Sequence, residues 1–421
     1  MENKTKFINL NGKGIFSSGD SHIEKPFTVQ REFSYTLIFV QEDEPEDLFS
    51  YQFDISAIWS LSGQLEDGRD ILADQLMVAK TGGIEKYIEF TPLASVVIGQ
   101  SSHSPILEVR YPLVGMFDGE FSIEEFGWTI EVLKSDDNAS NTKRQSEAWR
   151  VPMEGLTLRL KKTRTTLDEY HEKAREIMLL LSLATGNGVT SYRQIAYFDA
   201  QRTMEVWCKM TGDAFGPGAV VPDFQFGQFL KQVLPVWRQW RPDIKSQARL
   251  AIIYINLSGA GYLDIRLFQI SQAWEFLATS WMQKDKLSDS ECDLRKRIMA
   301  SYHDWKNEHP KADPTGNWGS RITFPFKWPM ARRQIESLAE SGRINLSKIG
   351  LDFEALKKTR DSVAHTGKMT ANQKGNYQLL AAAQFGLQLL LLAKLGYSGL
   401  VVTAKDGIKG SVPIDEYFQG W

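Results

Sequence analysis

The first part of the chain alternates hydrophobic and polar positions with a period of two, which is typical of half-buried strands. The alternation is clearest over residues 27–40, 84–90, 106–111, 126–132 and 156–160. It predicts a β-rich domain, sandwich-like or barrel-like, that ends near residue 164. From Leu167 onward the pattern changes to the helical period. The predicted fold class is therefore α+β, with the strands before the helices.

Two helices near the C-terminus are predicted from their hydrophobic pattern. Leu351, Phe353, Leu356 and Val363 form a stripe with helical spacing, and Gly367 is a residue type that often follows the end of a helix. Residues 371–397 predict a second helix that is apolar on nearly every side, as buried helices are. Three polar residues interrupt it, so its apolar runs are shorter than the roughly 20 residues that a membrane span requires.

The segment RDSVAHTG, from Arg360 to Gly367, places a permanent cation and a titratable imidazole on the first of these helices. Arginine stays charged at any working pH and can hold a phosphate with two hydrogen bonds. Histidine can take a proton from a ribose hydroxyl, or return one, in the neutral range. These two residue types together suit the cleavage of RNA, a reaction that they can support without a metal.

Spacing alone does not single out this pair. Arg164 with His171, and Arg297 with His303, have similar separations along the chain. Arg164 ends a basic run that is expected at the end of a strand, and Arg297 lies on a charged helical face. Both pairs therefore suit solvated structural positions, which leaves the RDSVAHTG segment as the candidate site.

At this segment the chain resembles the HEPN domains, which are all-helical ribonucleases of prokaryotic toxin and immunity systems and of some eukaryotic RNA-processing factors. The shared features are an Arg followed by a polar residue, a small-apolar stretch and a His-x-Gly at the end of a helix, with a long apolar helix behind it. Upstream, residues 264–277 resemble the early HEPN helix that carries an acidic residue, here Glu275. The resemblance covers residues 225–400 and is strongest to the HEPN domain of ApeA-like abortive-infection proteins.

The resemblance implies an endoribonuclease that acts in anti-phage defence and cuts host or viral RNA, with tRNA among the candidate substrates. His365 would act on the ribose 2′-hydroxyl or on the leaving 5′-oxygen, and Arg360 would stabilise the charge that develops on phosphorus. Asp361 would orient or support this pair, and Glu275 is the fourth candidate catalytic residue. The products would be a 2′,3′-cyclic phosphate and a 5′-hydroxyl.

In HEPN domains the site is usually shared across a two-fold dimer, so the resemblance also implies a homodimer or a higher homo-oligomer. Arg360 and His365 are five positions apart, which is about 140° around an ideal helix. They can converge only if the end of the helix unwinds or if a partner subunit completes the site.

The resemblance and the periodicities together give four segments. Residues 1–164 are expected to form the β-rich domain, which would act as a sensor or regulator that responds to a phage-derived trigger. Residues 165–224 are expected to be a helical connector with a Gly/Pro-rich loop. Residues 225–400 would be the all-helical HEPN domain, and residues 401–421 a C-terminal appendage.

The net charge of -3 gives no overall attraction to nucleic acid, so RNA binding would depend on local cations. Residues 237–241 and 327–333 interleave cations with aromatic residues. In single-strand binders the phosphates contact the cations while the bases stack on the rings. The candidate RNA-binding residues are Arg238, Arg241, Lys327, Arg332 and Arg333.

Cysteine and histidine usage points to a chain without disulfides or bound metals. Cys208 and Cys292 are the only cysteines, and the six histidines have no metal-ligand spacing. We therefore expect neither a disulfide framework nor a zinc site, and no metal or cofactor. The N-terminal segment lacks the apolar run of an export signal, so the chain is expected to be cytoplasmic, with no membrane partner.

Two alternatives remain open. His365 just before a helix-ending glycine suits a structural role at the negative end of the helix, and Arg360 can be one more cation beside Lys357 and Lys358. The helical domain would then be a catalytically inactive HEPN scaffold for dimerisation and for binding RNA or a nucleotide. The β-rich half can instead be a carbohydrate-binding or peptide-binding module that the helices support.

Overall fold

The computed structural model describes residues 8–32, 35–41, 53–54, 56–81, 87–93, 95–99, 105–114, 119–134, 154–191, 193–199, 203–207, 217–281, 289–313, 318, 331–366, 373–405 and 408–418. The chain forms two compact units. The first comprises Met1–Leu181 and Gly188–Ala214, and the second comprises Ser182–Asn187 and Phe215–Trp421. Strands predominate in the first unit and helices in the second. The α+β class predicted from the sequence is confirmed.

In the described part of the first unit, thirteen strands form one antiparallel sheet. They are β1 (Ile8–Ser18), β2 (Ser21–Glu32), β3 (Tyr35–Gln41), β4 (Ile58–Leu65), β5 (Asp70–Thr81), β6 (Tyr87–Pro92), β7 (Val96–Ile98), β8 (Glu108–Val114), β9 (Phe121–Glu125), β10 (Trp128–Lys134), β11 (Glu154–Lys161), β12 (Arg193–Tyr197) and β13 (Thr203–Trp207). Their order is β4-β1-β2-β3-β6-β5-β7-β13-β12-β8-β11-β10-β9, and β4 also pairs with β5. The extra pairing closes the first six strands of this order into a ring.

Aromatic side chains fill the inside of this ring. The rings of Phe16 and Phe90 are stacked with 5.2 Å between their centroids, and Phe53 meets both of them edge-on. All three side chains are buried. The alternation along the sequence thus corresponds to an inner, apolar face and an outer face with polar residues.

The single strand predicted over residues 27–40 is wrong, because the chain folds back within it. β2 and β3 are antiparallel neighbours, with Phe27 opposite Val40 and Glu32 opposite Tyr35. The connection, residues 33–34, lies outside the described residues. The buried positions are Phe27 and Val29 on β2 but Ile38 and Val40 on β3, so the alternation shifts by one residue at the turn. The segment contains no Gly or Pro to mark the reversal, and this shift is its main sequence signal.

β1 and β4 approach each other most closely at a pair of glycines. Gly14 lies opposite Gly63 in the ladder. A Cβ atom on Gly63 would lie 2.4 Å from the carbonyl oxygen of Lys13 and 2.7 Å from the Cα of Gly14. Since these are backbone atoms, they cannot rotate out of the way as the end of a side chain can. The closure of the ring therefore requires glycine at this crossing.

Helix α1 (Leu167–Thr185) contacts the other half of the sheet. Tyr170 meets Trp128 of β10 edge-on at 5.1 Å between centroids, and its hydroxyl is hydrogen-bonded to the backbone of Lys162. After α1, β12 and β13 pair with β8 and β7. The segment 165–224, expected to be a helical connector, therefore also supplies two strands to the sheet. Each is only five residues long, too short for a clear periodicity.

The described part of the second unit contains eight helices. They are α2 (Phe226–Gln239), α3 (Pro242–Leu257), α4 (Leu263–Trp281), α5 (Asp289–Glu308), α6 (Ala331–Ser341), α7 (Leu346–Ile349), α8 (Phe353–Thr366) and α9 (Gln373–Lys394). The two C-terminal helices expected from the hydrophobic pattern are confirmed as α8 and α9, while Gly367 lies outside the described residues. None of the described helices has the length and apolarity that a bilayer crossing requires.

Helix α4 is fixed at the centre of this unit by Trp274. Its indole N–H donates to the backbone oxygen of Ala383 on α9 at 3.0 Å, and its ring meets Phe353 of α8 edge-on. A second link joins α9 to the end of α3, since the amide of Gln384 donates to the backbone oxygen of Ser258 at 2.8 Å. The buried amide of Gln384 on α9 thus has a partner on a neighbouring element, as burial favours. Nε2 of Gln388, also buried on α9, has no hydrogen-bond partner among the described residues.

The C-terminal segment is built into the second unit. β14 (Leu400–Lys405) and β15 (Ile408–Pro413) form a hairpin, followed by a 3-10 turn over Ile414–Tyr417. Val401 and Ile414 are fully buried, and the N–H of Val402 donates to the backbone oxygen of Val220. The residues expected to be an appendage therefore contribute to the core of this unit.

We predict that Gly63→Ala lowers the free energy of unfolding by about 1–3 kcal/mol, the usual cost of overpacking, because the added methyl group meets backbone atoms of β1. Gly410→Ala is the matched control, since a Cβ atom there has no heavy atom within 4 Å. Urea denaturation followed by circular dichroism measures both variants. Equal stability of Gly63→Ala and the parent would contradict the close crossing of β1 and β4.

Candidate functional site

Helix α8 starts at a capping residue and buries one face. The carboxylate of Asp352 accepts a hydrogen bond, 3.1 Å long, from the backbone N–H three residues further on, which is an N-cap. Phe353, Leu356 and Thr359 are buried, and the two lysines between Leu356 and Thr359 are exposed. Arg360 follows Thr359 at the edge of the buried face, so its side chain extends along the surface of the bundle.

Arg360 joins two carboxylates. A terminal nitrogen of its guanidinium donates a hydrogen bond to Oε1 of Glu275 on α4, and its Nε lies 3.2 Å from Oδ1 of Asp361. The Nε atom is buried and has no aligned hydrogen-bond partner among the described residues, so the contact with Asp361 is an ion pair only. The side chains of Arg360 and Glu275 are 21% and 22% exposed. The structure therefore brings together three of the four predicted catalytic residues.

Glu275 reaches this position because its neighbour in sequence is fixed. The side chain of Trp274 is fully buried and bonded to α9, which sets the rotation of α4 about its axis. The next residue then lies at the border of the buried face, toward α8. Glu275 and Arg360 are 85 positions apart in sequence, so their contact depends on the packing of α4 against α8.

Burial raises the pKa of the Glu275 carboxyl above its usual 4.5, because the charged form loses hydration. The positive charge of Arg360 lowers the pKa and opposes this effect. The negative charge of Asp361 raises it further, and Lys357 lowers it. Four charges thus influence one another here, two positive and two negative. Lys357 is not among the predicted site residues, although it lies four positions before Asp361, the spacing of neighbours on one helical face.

His365 is not brought to the other three residues. It lies in the last turn of α8, and it is exposed. Because α8 is helical from Phe353 to Thr366, its end does not unwind between Arg360 and His365. No hydrogen bond or ion pair between described residues joins the imidazole to Arg360, Asp361 or Glu275. Arg360 and His365 could meet either through unwinding of the helix end or through a second subunit. Since the helix is continuous, only a second subunit can bring them together.

The two rejected Arg–His pairs lie in surface positions. Arg164 is exposed and has a φ of 57°, in the turn before α1. Arg297 is 78% exposed and pairs with Asp293 one helical turn earlier, at 2.8 Å. His171 is half-buried, and burial lowers its pKa. The charge of Arg175, not of Arg164, also lowers the pKa of His171. Neither Arg164 nor Arg297 is joined to the histidine of its pair by a hydrogen bond among the described residues.

Only part of the predicted RNA-binding set lies within the described residues. Arg238, in the last turn of α2, and Arg241 are exposed, and Arg241 pairs with Asp243 at 2.9 Å. Trp237, the aromatic residue between these cations and the bundle, is buried and cannot offer its face to a base. Its ring packs against Trp240. Trp237 therefore belongs to the core and Trp240 is partly exposed, while the cations of this stretch remain candidates.

The second predicted patch lies mostly outside the described residues. Lys327 is not among them, and Arg332 and Arg333 begin α6 with side chains that are also outside the described set. Among the residues that the structure describes, no group of three or more His, Cys, Asp or Glu side chains could hold a metal ion.

The cluster can bind an anion while the arginine stays in place. A guanidinium has five N–H donors, and one of those on Arg360 is used by Glu275. The remaining donors on the terminal nitrogens can take a phosphate oxygen in a charge-assisted hydrogen bond. Glu275 and Asp361 balance the charge of Arg360, so that the cation is stable in a partly buried position without a ligand.

We predict a distinct pH dependence for Glu275→Gln. An acid with a raised pKa in the folded state contributes stability below its ordinary pKa of 4.5, and this contribution is lost as the pH rises through the raised value. The glutamine has no such ionisation. The stability of Glu275→Gln relative to the parent should therefore improve between about pH 4 and pH 7, as measured by urea denaturation at several pH values. If the stability of Glu275→Gln relative to the parent falls over this interval, the effect of Arg360 on the pKa of Glu275 is larger than the effect of burial.

Comparison with known proteins adds no family to this description. No family model, no curated protein and no solved structure matches the chain. The likeness to HEPN domains therefore depends on the sequence motif alone.

Proposed function

We propose that this protein is a metal-independent, HEPN-type endoribonuclease that acts in anti-phage defence by abortive infection, with tRNA as one candidate substrate. One observation carries the proposal. Arg360 and Asp361 of α8 meet Glu275 of α4 at a partly exposed surface, and His365 is exposed at the end of the same helix. A fixed cation and an accessible imidazole are two groups that can cleave an RNA phosphodiester, provided that a second subunit brings them together.

The reaction can be written with these side chains. The imidazole of His365 removes the proton of a ribose 2′-hydroxyl, and the oxygen attacks the adjacent phosphorus. The bond from phosphorus to the 5′-oxygen breaks, and this oxygen receives a proton from a general acid, for which the second histidine of a dimer is available. Arg360 neutralises the charge that develops on the phosphoryl oxygens. The products are a 2′,3′-cyclic phosphate and a 5′-hydroxyl.

A homodimer is part of the proposal, because one chain does not bring His365 to Arg360. A two-fold axis near the end of α8 would place the imidazole of one subunit beside the guanidinium of the other, and the reverse. The resulting composite cleft would contain both arginines and both histidines. Activity would then depend on association of the subunits as well as on the side chains.

The first unit would act as the regulator. A domain that binds a phage-derived trigger can shift the protein between two arrangements, of which only one forms the composite cleft. Expression of the parent in the absence of phage tests this part of the proposal. Growth arrest without any trigger would contradict a regulatory role of the first unit.

A second candidate function is a catalytically inactive HEPN scaffold that dimerises and binds RNA or a nucleotide. The exposure of His365, without a described contact to Arg360, favours it. In this case the ion pair of Arg360 with Glu275 would serve the packing of α4 against α8. The scaffold would bind RNA without cleaving it.

We predict that Arg360→Ala and His365→Ala each reduce RNA cleavage by about 100-fold or more, the usual contribution of a general acid or base. Lys358→Ala is the matched control, because it removes an exposed cation from the same helix. Purified variants are incubated with total RNA, with and without a lysate of phage-infected cells as the source of the proposed trigger, and the fragment ends are tested for 2′,3′-cyclic phosphate. A bacterial host that expresses each variant is challenged with phage in parallel.

The results separate the two candidates. Cleavage by the parent and by Lys358→Ala, with loss in both other variants, supports the nuclease. Equal cleavage by all variants means that the motif is structural. Binding of RNA without cleavage by any protein, the parent included, supports the scaffold.

A further inference from the structure

The outer face of the first three strands has a regular polar pattern that the proposed nuclease does not use. On β1, Asn9, Asn11 and Lys13 are exposed at alternate positions. On β2, Thr28 and Gln30 occupy the matching outward positions. Since residues two apart in a strand are about 6.8 Å apart along it, these side chains form two parallel polar rows.

The ladder register sets the rows side by side. Asn9 lies opposite Gln30, and Asn11 lies opposite Thr28. The hydroxyl of Thr28 donates to Oδ1 of Asn11 at 3.0 Å, which fixes the amide and leaves its Nδ2 donors directed away from Thr28. Such cross-strand pairs hold side chains within about 5 Å of each other. Neighbouring amides and hydroxyls are thus presented in a fixed arrangement.

These rows line an open groove of about 1000 Å³. Phe39 of β3 and Pro26 of β2 supply apolar surface on one part of the wall. Lys13 and Glu66 are the only charged residues among those that line the groove in the described part of the chain, and their charges cancel. The groove therefore offers many neutral hydrogen-bonding groups and no net charge.

We propose that this groove binds a neutral oligosaccharide. An amide presents a donor and an acceptor side by side, which matches adjacent hydroxyl groups of a sugar, each of which can both donate and accept. The apolar wall can take the C–H face of a sugar ring, as aromatic residues do in small-molecule sites. A polyanion such as RNA is disfavoured, because its affinity requires net positive charge along the site.

An extended peptide fits this surface less well. Peptides that add to a sheet bind to unpaired backbone groups at its edge. From Gly12 onward, β1 is paired with β2 on one edge and with β4 on the other. The backbone oxygen of Asn11 also accepts a hydrogen bond from the N–H of Glu66. Recognition at the groove therefore depends on side chains, not on strand addition.

The test uses the full chain on an array of neutral and acidic glycans, followed by calorimetric titration of the best neutral glycan. We expect Asn11→Ala and Gln30→Ala each to weaken binding by about 3-fold to 10-fold, the effect of losing one or two hydrogen bonds. Ser62→Ala, exposed on β4 outside the groove, should bind like the parent. The affinity should stay constant between low and high salt, since a neutral ligand is not screened.

Several results would overturn the proposal. The first is that no neutral glycan binds. The second is that only acidic glycans or RNA bind, with a strong salt dependence. The third is that both amide variants bind the neutral glycan as well as the parent does. A further contradicting result would be a peptide that binds the parent protein and fails to bind the same two amide variants. Circular dichroism checks folding, and Asn9→Ala replaces any variant that does not fold. Because binding is measured without RNA, this test is independent of the nuclease test.

Discussion

An arginine that is about four-fifths buried needs fixed anionic partners, and for Arg360 these are Glu275 and Asp361. Removing such a charge from water is costly, and the loss of one partner leaves the other uncompensated. The ion pair of Arg360 with Glu275 therefore constrains the rotation of α4 and α8 about their axes. Trp274, which bonds α4 to α9, extends this constraint to a third helix. The same contacts hold a guanidinium at the surface with donors still available, so packing and anion binding depend on one interaction.

Much of the fold follows from periodicity, and the failures of this prediction have physical causes. Strands such as β10 and β11 and helices such as α8 and α9 have clear patterns, and the structure places them where they are expected. The reversal between β2 and β3 is marked only by a shift of the alternation by one residue, because the turn contains no Gly or Pro. β12 and β13 are too short for a pattern, although they join the sheet. Closure of the ring depends on the pairing of β1 with β4, which are far apart in sequence, and no local signal specifies this pairing.

The candidate site was predictable to a similar extent. Arg360 and Asp361 are adjacent in sequence, and the apolar stripe of α8 places them at the edge of its buried face. The contact with Glu275 depends on tertiary packing, and only the resemblance to a known helix order suggested it. Spacing also predicted that His365 would lie far around the helix from Arg360, and the continuous α8 keeps it there. In contrast, Trp237 was expected beside RNA and is a core residue, because alternating cations and aromatics also mark the border of a buried face.

The two units differ in the chemistry that they present. The first has a groove lined by amides, with balanced charges, which suits a neutral polar ligand. The second has a partly buried arginine, Arg360, whose N–H donors not used by Glu275 can bind a phosphate oxygen. With a net charge of -3, attraction to nucleic acid must come from such local cations. A division between recognition in one unit and chemistry in the other is consistent with a regulated nuclease.

The proposed composite cleft requires Arg360 of one subunit to act with His365 of another. Co-expression of Arg360→Ala and His365→Ala chains with different tags allows the mixed dimer to be purified. In this dimer the common cleft keeps one arginine and, from the other chain, one histidine, while the second histidine is absent. We expect the mixed dimer to cleave RNA faster than either single variant and more slowly than the parent. A mixed dimer as inactive as the two single variants, beside an active parent, would contradict the shared cleft.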